Sequence, residues 1–268
     1  MIDIGMGEWI KDYDGYLLMK FTGKYRYQQR FLDGKLFFNT SDFFARCDDA
    51  GRSDFNEGNY LVVNEIEGSM SSIRYEIVNG QVVLVERDFT NNPLEYKPSN
   101  VFSFSPAENR NRKVISFSTA YVNLEKNIVS AFADNMSEEF GEYGILILDR
   151  QEFFRRISKA IKKLSNVKMA QMGFVEYHDI KPGVNQWHPF KKDKSKFEYQ
   201  NEFRITFVND NDSPFVLDLG RTLRDIAVLI QAKDIDNIYF KEGNLLYPIY
   251  KKYPLRRLLY KITELFVK

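Results

Sequence analysis

The stretch Phe197-Glu198-Tyr199-Gln200-Asn201-Glu202-Phe203-Arg204-Ile205 has the alternation of side chains that is typical of a β-strand. Successive side chains of a strand point to opposite faces of the sheet, so Gln200, Glu202 and Arg204 fall on one face. The opposite face is mostly apolar and suits a core. We therefore predict a strand over Phe197–Arg204 whose polar face is either a solvated sheet surface or is aimed into a cleft.

The patterns on either side of this stretch predict an α+β fold. Tyr16–Phe21 and Lys35–Phe38 are predicted strands that enclose a helix at Tyr25–Leu32, with Gly34 as its C-terminal cap and Ser41 as the N-cap of a further helical turn. Further strands are predicted at Val101–Phe104, Val114–Ser118, Gly144–Leu148, Met172–Tyr177, Glu202–Val208, Phe215–Leu217, Ala227–Ile230 and Ile238–Phe240, and helices at Leu124–Phe140 and Gln151–Leu164. Many strands with few strand–helix–strand alternations favour a mixed or antiparallel split β-sheet core with flanking helices.

A β-hairpin is the clearest local prediction. Ile73–Val78 and Val82–Glu86 flank Asn79-Gly80, the dipeptide preferred in type I′ turns. We expect this hairpin to be an insertion at about residues 60–98 of a single domain that spans residues 1–268. At its end, Leu255–Phe266 predicts an amphipathic helix over 255–267, which packs on the core or faces a partner or membrane surface.

Composition and charge narrow the class of protein. Of the 268 residues, 44% are hydrophobic and 28% charged, as in globular proteins. The formal net charge is +1, so no overall field favours nucleic acid. The single cysteine, Cys47, excludes an internal disulfide and fits a reducing compartment. The first residues lack the pattern of a signal peptide and no long apolar run occurs, so we expect a cytoplasmic protein without membrane association.

Several common catalytic motifs are missing from the sequence. His178 and His188 match no compact ligand spacing and no cysteine cluster assists them, so no metal centre is predicted. Cys47 has no neighbouring histidine, and there is no Gly-x-Ser-x-Gly elbow. The phosphate loop and the dinucleotide fingerprint are also missing, which disfavours hydrolase triads and P-loop or Rossmann sites.

Two polar segments have more than one interpretation. Cys47–Gly58 holds four carboxylates and is either a solvated loop or a loop that lines a cleft. Lys191–Lys196 is rich in lysine and is either a solvated loop or, together with the basic C-terminal helix, a contact patch for a macromolecule such as nucleic acid.

The order of the motifs resembles a widespread bacterial domain family of poorly known function. That family opens with an apolar-Lys-Phe strand, a short helix and an apolar strand, followed by an acidic loop, a Phe-Ser strand and a late Glu/Gln-x-Glu-aromatic-Arg strand. The matching segments here are Lys20-Phe21, Phe31-Leu32 with Lys35–Asn39, Asp54–Gly58, Ile115–Thr119 and Gln200–Arg204. The resemblance spans roughly residues 16–230, on short motifs.

The same order also resembles the ADP-ribosyltransferase fold, which binds NAD without a Rossmann motif. Ser116-Phe117-Ser118-Thr119 corresponds to its Ser-Thr-Ser-like strand and Gln200-Asn201-Glu202 to its Gln/Glu-x-Glu strand. The resemblance implies that Glu202 holds a ribose hydroxyl and stabilises the oxocarbenium-like charge as nicotinamide leaves. It further implies that Gln200 orients the acceptor and that Ser118 or Thr119 braces Glu202.

The remaining NAD contacts implied by this resemblance are basic. The early basic residue is one of Lys20, Arg26 and Arg30, and Arg204 is a further candidate. Two features depart from the pattern: Lys20 is not the usual Arg or His, and the Ser-Thr strand reads Ser-Thr-Ala. The expectation is an ADP-ribosyltransferase or NAD glycohydrolase, with NAD as substrate and a protein or nucleic-acid acceptor, acting in bacterial–phage conflict. The alternative is a non-enzymatic interaction protein of such a system that binds a protein or a nucleic acid.

Overall fold

A ten-stranded sheet with flanking helices organises the described part of the chain. The computed structural model describes residues 3–5, 15–47, 53–54, 56–57, 61–64, 72–78, 81–88, 102–104, 111–123, 125–126, 128–130, 132, 136–181, 183–231, 234, 238–241 and 244–246. The sheet is mixed and mostly antiparallel, so the predicted α+β class is confirmed.

The helices and strands follow one another without regular alternation. The strands are β1 (Asp3–Gly5), β2 (Gly15–Thr22), β3 (Lys35–Thr40), β4 (Leu61–Asn64), β5 (Ser72–Val78), β6 (Gln81–Asp88), β7 (Phe102–Phe104), β8 (Lys113–Asn123), β9 (Ile128–Val129), β10 (Tyr143–Ile147), β11 (Lys168–Phe174), β12 (Glu176–His178), β13 (Gly183–Gln186), β14 (Lys191–Asp193), β15 (Glu202–Val208), β16 (Phe215–Asp218), β17 (Ala227–Gln231), β18 (Tyr239–Lys241) and β19 (Asn244–Leu246). The helices are α1 (Tyr25–Leu32), α2 (Ser41–Arg46), α3 (Met136–Phe140), α4 (Arg150–Ile161) and α5 (Lys194–Phe197).

The order of strands in the large sheet places β15 and β8 at its centre. The path runs β1-β11-β15-β8-β2-β10-β17, with β9 and β3 also paired to β8 and β16 paired to β3. Among the described pairs of this sheet, β1 with β11 is parallel and the others are antiparallel. Smaller sheets are formed by β13-β4-β7, β12-β14, β18-β19 and β5-β6, the last confirming the predicted hairpin strands.

Alternating apolar residues give the large sheet two buried faces. We call the side covered by α1 and α4 the helix face and the other side the far face. The helix-face core includes Leu18, Phe31, Phe117, Ile145, Phe153, Ile157, Phe203 and Ile205. The far-face core includes Leu17, Met19, Ala120, Val122, Met136, Leu146 and Ile230. Their side chains bury most of the sheet on both sides, which is the dominant stabilising contribution in a fold of this kind.

Local sequence explains both helices of the helix face. In α4 the apolar residues recur at helical spacing, and the Asp149 side chain caps the helix by accepting a hydrogen bond from the Glu152 backbone N–H at 2.8 Å. After α1, Gly34 has a φ of +82°, a left-handed conformation that favours glycine, as the predicted C-terminal cap requires.

Two predictions near helix ends are wrong. Leu124–Phe140 is not one helix, because Ile128–Val129 pairs with β8 as a strand and helix begins only at Met136. The β-branched pair gains more from extending the sheet than from helical spacing. Ser41 is the first helical residue rather than the cap, since the Thr40 side chain accepts the hydrogen bond from the Phe43 N–H at 3.1 Å.

The predicted strand Phe197–Arg204 is wrong in its first half. Phe197 ends the short helix α5, and Glu198–Gln200 forms a 3₁₀ turn before β15 begins at Glu202. Asn201 adopts a left-handed conformation with a φ of 42°, which breaks the alternation between Gln200 and Glu202. The predicted helix at Leu255–Phe266 and the Asn79-Gly80 turn lie outside the described residues.

Candidate functional site

β15 carries two charged side chains on the far face of the large sheet. Phe203 and Ile205 belong to the helix-face core, so Glu202 and Arg204 point the other way. Glu202 pairs with Ser118 in the register of β15 and β8. Glu202 and Arg204 are only 4% and 2% exposed, so an acid and a base are held inside the protein.

Arg204 joins two glutamates from distant parts of the chain. Its Nε donates to Glu202 Oε1 at 2.6 Å, while Nη2 and Nη1 donate to the two oxygens of Glu57 at 2.7 and 3.1 Å. Nη1 also donates to the carbonyl of Pro189. This is the two-pronged geometry in which a planar guanidinium binds a carboxylate or a phosphate most strongly.

Lys192 connects Gln200 to Glu202. Its Nζ lies 2.9 Å from Glu202 Oε2 and donates to Gln200 Oε1, also at 2.9 Å. All three side chains are buried. The polar-face prediction is wrong in placing Gln200 on the strand of Glu202, but one ammonium group holds the amide and the carboxylate together.

The acidic loop supplies the remaining charges. Asp54 is 2% exposed; its Oδ1 accepts from the Asn56 N–H at 3.0 Å, and its Oδ2 has no hydrogen-bond partner in the described structure. Among the described residues, three carboxylates therefore face two cations in one buried group. We call this group the Glu202 cluster: Asp54, Glu57, Lys192, Gln200, Glu202 and Arg204.

The Glu202 carboxyl group stays ionised although it is buried. Burial alone raises its pKa, but the charges of Arg204 and Lys192 and hydrogen bonds from Arg204 and Ser116 outweigh burial and hold the pKa well below its usual range. For Arg204, burial lowers the pKa, yet the Glu202 and Glu57 charges hold it above its ordinary value. The pair is therefore a charged, dry contact at neutral pH.

The pKa values of the two acidic-loop carboxyls, Asp54 and Glu57, are raised, opposite to that of Glu202. Burial raises the pKa of Asp54, and the nearby Lys192 and Arg204 charges compensate only in part. Burial also raises the pKa of Glu57, against the opposing charge of Arg204. The excess negative charge of the Glu202 cluster thus favours uptake of either a proton or a cationic ligand.

Two serines of β8 stand beside Glu202. Ser118, which is buried, is its partner in the register, and Ser116, which pairs with Arg204, is among the groups that lower the pKa of the Glu202 carboxyl. Two hydroxyls fix the start of β15: Thr119 Oγ1 donates to the Asn201 carbonyl at 2.7 Å, and the Glu202 N–H donates to the Tyr177 hydroxyl at 2.8 Å. Thr119 pairs with Leu18 of the helix face, so it braces the backbone rather than the Glu202 carboxylate.

The early basic candidates are not brought to Glu202. Lys20 pairs with Ile145 of the helix-face core, and its Nζ donates to the Ser116 carbonyl at 2.7 Å and lies 5.8 Å from the Phe117 ring centre. Arg26 and Arg30 are exposed on α1, which covers the helix face. The sheet therefore separates these three residues from the far-face cluster.

Sequence reasoning missed the cation that binds Glu202 from β14. Lys192 lies in the lysine-rich run, where Lys194 and Lys196 are exposed, and nothing in the sequence marks it as different. Glu57 could have been proposed as a site residue, because the acidic loop is one of the motifs of the family resemblance. Its exact partner, Arg204, could be found only from the fold.

The two histidines of the chain lie near one carboxylate, but their arrangement does not suit a metal. His178 Nε2 and His188 Nε2 are 3.1 and 3.9 Å from Glu176 Oε2. His188 Nδ1 accepts from the Phe190 N–H at 3.2 Å, so neutral His188 carries its proton on Nε2 and offers no lone pair there. Within the described ranges, no group of three or more His, Cys, Asp or Glu side chains is placed to hold a metal ion.

Comparison with known proteins identifies no relative of this chain. No protein-family model, no curated protein and no solved structure matches the chain. None of the described helices is long and apolar enough to cross a membrane.

Proposed function

We propose that the Glu202 cluster is the site of an NAD-dependent ADP-ribosyltransferase or NAD glycohydrolase. The observation that carries the proposal is the placement of Gln200, Glu202 and Ser118 together on the far face, with the Glu202 carboxylate ionised in a dry site. The proposal is supported by the pairing of β8, which carries Ser118 and Thr119, with β15, which begins at Glu202. The acceptor is a protein, a nucleic acid or, in hydrolysis, water.

The proposed cleavage of NAD requires a fixed negative charge beside a developing cation. The bond between the nicotinamide nitrogen and ribose C1′ breaks, nicotinamide leaves with the bonding pair, and positive charge develops on the ribose. A preorganised carboxylate such as Glu202 stabilises that charge more effectively in a dry site than in water. The acceptor oxygen then bonds to C1′ and loses a proton, which Asp54 is suited to accept because burial raises its pKa.

In the proposal, Glu57 moves away from Arg204 when NAD binds. Glu57 covers Arg204 in the geometry that a phosphate group also satisfies. In the proposal, the Glu57 side chain moves off Arg204 while Asp54 stays in place, and a phosphate of NAD replaces the Glu57 carboxylate, so Arg204 keeps a bidentate anion throughout. Once Glu57 is displaced, Asp54 and Glu202 balance Lys192 and Arg204, and the NAD phosphate supplies the negative charge that matches the cationic nicotinamide ring.

Nicotinamide release from NAD tests the proposal. We expect the wild-type protein, with candidate protein and nucleic-acid acceptors present, to release nicotinamide, and Glu202→Gln to lose at least about a hundredfold in rate, as removal of one electrostatic group at a reacting centre does. Far-UV circular dichroism and a thermal melt establish that the variant is folded at the assay temperature. If the wild type neither binds nor consumes NAD, the proposal that the protein is an NAD-dependent enzyme is rejected.

A second candidate is a non-enzymatic interaction protein that binds a protein or a nucleic acid. One observation favours it: both Glu202 oxygens are engaged by Arg204 and Lys192, while Lys20 and Arg26 lie on the other side of the sheet. The Glu202 cluster is then a structural ion-pair core. The nicotinamide experiment separates the two candidates, and a cytoplasmic role in bacterial–phage conflict belongs to either proposal.

A further inference from the structure

One surface of the molecule combines exposed cations with exposed aromatic rings. We call it the α1 surface: Lys24, Tyr25, Arg26, Tyr27 and Arg30. Tyr25 and Tyr27 are each 47% exposed, and the three cations are also exposed. Tyrosine is intermediate in its tendency to be buried, so the informative feature is that two half-exposed rings flank a pair of exposed arginines.

Helix geometry arranges these side chains into a strip. Gln28, Phe31 and Leu32 are buried and define the inner side of α1. At 3.6 residues per turn, Arg26 and Arg30 lie one turn apart on the outer side. Around the helix axis, Tyr25 and Tyr27 then lie on opposite sides of that arginine pair.

The electrostatics of the α1 surface are positive. The first turn of α1, which is fully described, has no acidic residue. Arg26 Nη2 donates to the Tyr27 hydroxyl at 3.1 Å, and its guanidinium carbon lies 4.9 Å from the Tyr27 ring centre. The hydrogen bond and charge of Arg26, followed by the charges of Lys24 and Arg30, lower the pKa of the Tyr27 hydroxyl. Asp33, at the far end, is paired with Arg224 at 2.9 Å.

From this arrangement we propose that the α1 surface binds single-stranded nucleic acid. Arginines spaced along a strip pair with successive phosphates, and aromatic faces beside them stack on unpaired bases. An acidic peptide would use the cations but has no flat rings to stack on the tyrosines. The small net charge of the whole chain does not oppose this, because binding of phosphates depends on local cations.

The α1 surface is separate from the Glu202 cluster. α1 packs on the helix face, whereas the cluster lies on the far face. The inference therefore stands without the proposed NAD chemistry, and it gives Arg26 a different ligand from the one that the resemblance implies.

Fluorescence anisotropy with a labelled oligothymidylate of about 20 nucleotides tests the inference at several salt concentrations. The variants are the double substitution Arg26→Ala/Arg30→Ala, the single substitution Tyr27→Leu, and the control Lys162→Ala/Lys163→Ala. The control removes the same charge from two exposed lysines just after α4. All of these positions are at the surface, so each variant is expected to fold, and a thermal melt checks this.

We expect the wild type to bind and the arginine double variant to reduce the slope of log K against log salt by about 1.4, or about 0.7 for each lost phosphate contact. Tyr27→Leu should weaken binding about tenfold with little change in slope, because it removes stacking and keeps the charge. The lysine control should match the wild type. Absence of wild-type binding at low salt, an equal loss in the lysine control, or competition by polyglutamate as strong as by unlabelled oligonucleotide would overturn the inference.

Discussion

The Glu202 cluster and the ion pairs around Arg156 use the same chemical groups in different surroundings. Arg156 lies 2.7 Å from Glu152 and 2.6 Å from Asp225, and it links α4 to the segment before β17. The Arg156 side chain is 5% exposed, but the side chains of its partners Glu152 and Asp225 are 20% and 39% exposed. In the Glu202 cluster, the side chains of Arg204, Glu57 and Glu202 are 3%, 2% and 5% exposed. Water can therefore solvate a partner that is left alone near Arg156 but cannot reach one in the cluster.

This difference sets the cost of losing a charge. A surface pair contributes little, because water competes for both groups and salt screens them. A buried pair contributes modestly while it is intact, but removing one member leaves a desolvated charge with no counter-ion. In the proposed reaction, the same desolvation strengthens the effect of the Glu202 carboxylate on a developing positive charge, since a charge acts more strongly where water is excluded.

The largest expected effect is on Arg204. Arg204→Met keeps much of the side-chain length but leaves Asp54, Glu57 and Glu202 with Lys192 as the remaining described cation of the cluster. We expect the free energy of unfolding, measured by urea denaturation, to fall by about 3–5 kcal/mol. Arg155→Met, at an exposed position of α4, serves as the control and should leave the denaturation midpoint unchanged. A loss for Arg204→Met as small as that of a surface pair would remove the distinction between the two networks.

The next effect concerns Glu202 and its dependence on pH. Glu202→Gln should lower the free energy of unfolding at pH 7 by about 2 kcal/mol, the scale of hydrogen bonds to charged groups. Because the folded pKa of Glu202 is lowered, its stabilisation is complete above the unfolded pKa of about 4.3 and is lost as pH falls through the folded value. Urea denaturation at pH 7, 5 and 3 should show a constant difference between the two proteins at the first two values and a smaller one at the third. A difference that already shrinks between pH 7 and 5 would contradict the ionised pair.

A smaller effect is expected at Glu152. Hydrogen bonds from Arg155 and Arg156 lower the pKa of Glu152 to about 2. By the same sign argument, its contribution is present above pH of about 4.3 and disappears toward the folded pKa. Glu152→Gln should cost less than about 1 kcal/mol at pH 7, since the group is partly solvated. Added salt should reduce this cost, and thermal melts with and without salt measure it.

The smallest effect is expected at Asp54. Asp54→Asn keeps the acceptor for the Asn56 N–H and removes a buried charge whose Oδ2 lacks a described hydrogen-bond partner. Because burial raises the pKa of Asp54, removing its charge should change the free energy of unfolding by less than about 1 kcal/mol, or stabilise the fold. A loss comparable to that of Arg204→Met would mean that Asp54 is an essential counter-ion of Lys192 and Arg204.

Local sequence patterns predicted many of the helices and strands but only part of the candidate site. Alternation predicted β15 at Glu202–Val208, because polar and apolar residues alternate with a period of two from Glu202 to Phe207. Helical spacing also predicted α1 at Tyr25–Leu32. Where two local tendencies compete, as at Ile128–Val129, pairing with β8 decides the outcome and the sequence pattern misleads.

The counter-ions of the site could not be predicted, because long-range pairing places them. Lys192 is buried since β14 pairs with β12, so that Lys192 lies opposite Tyr177, a neighbour of the Glu202 backbone. Gln200 reaches Lys192 through a 3₁₀ turn and not along the predicted strand. Glu57 contacts Arg204 across 147 positions of the sequence, a pairing that only the fold reveals.

The most direct test of the account is the rate of nicotinamide release per folded molecule for Glu202→Gln compared with Glu152→Gln. The two substitutions remove the same group, one from the buried cluster and one from the surface network, so loss of a glutamate as such is controlled. We predict near-complete loss of release for Glu202→Gln and the wild-type rate for Glu152→Gln. Equal rates in the two variants, or no release by the wild type, would contradict the assignment of NAD chemistry to the Glu202 cluster.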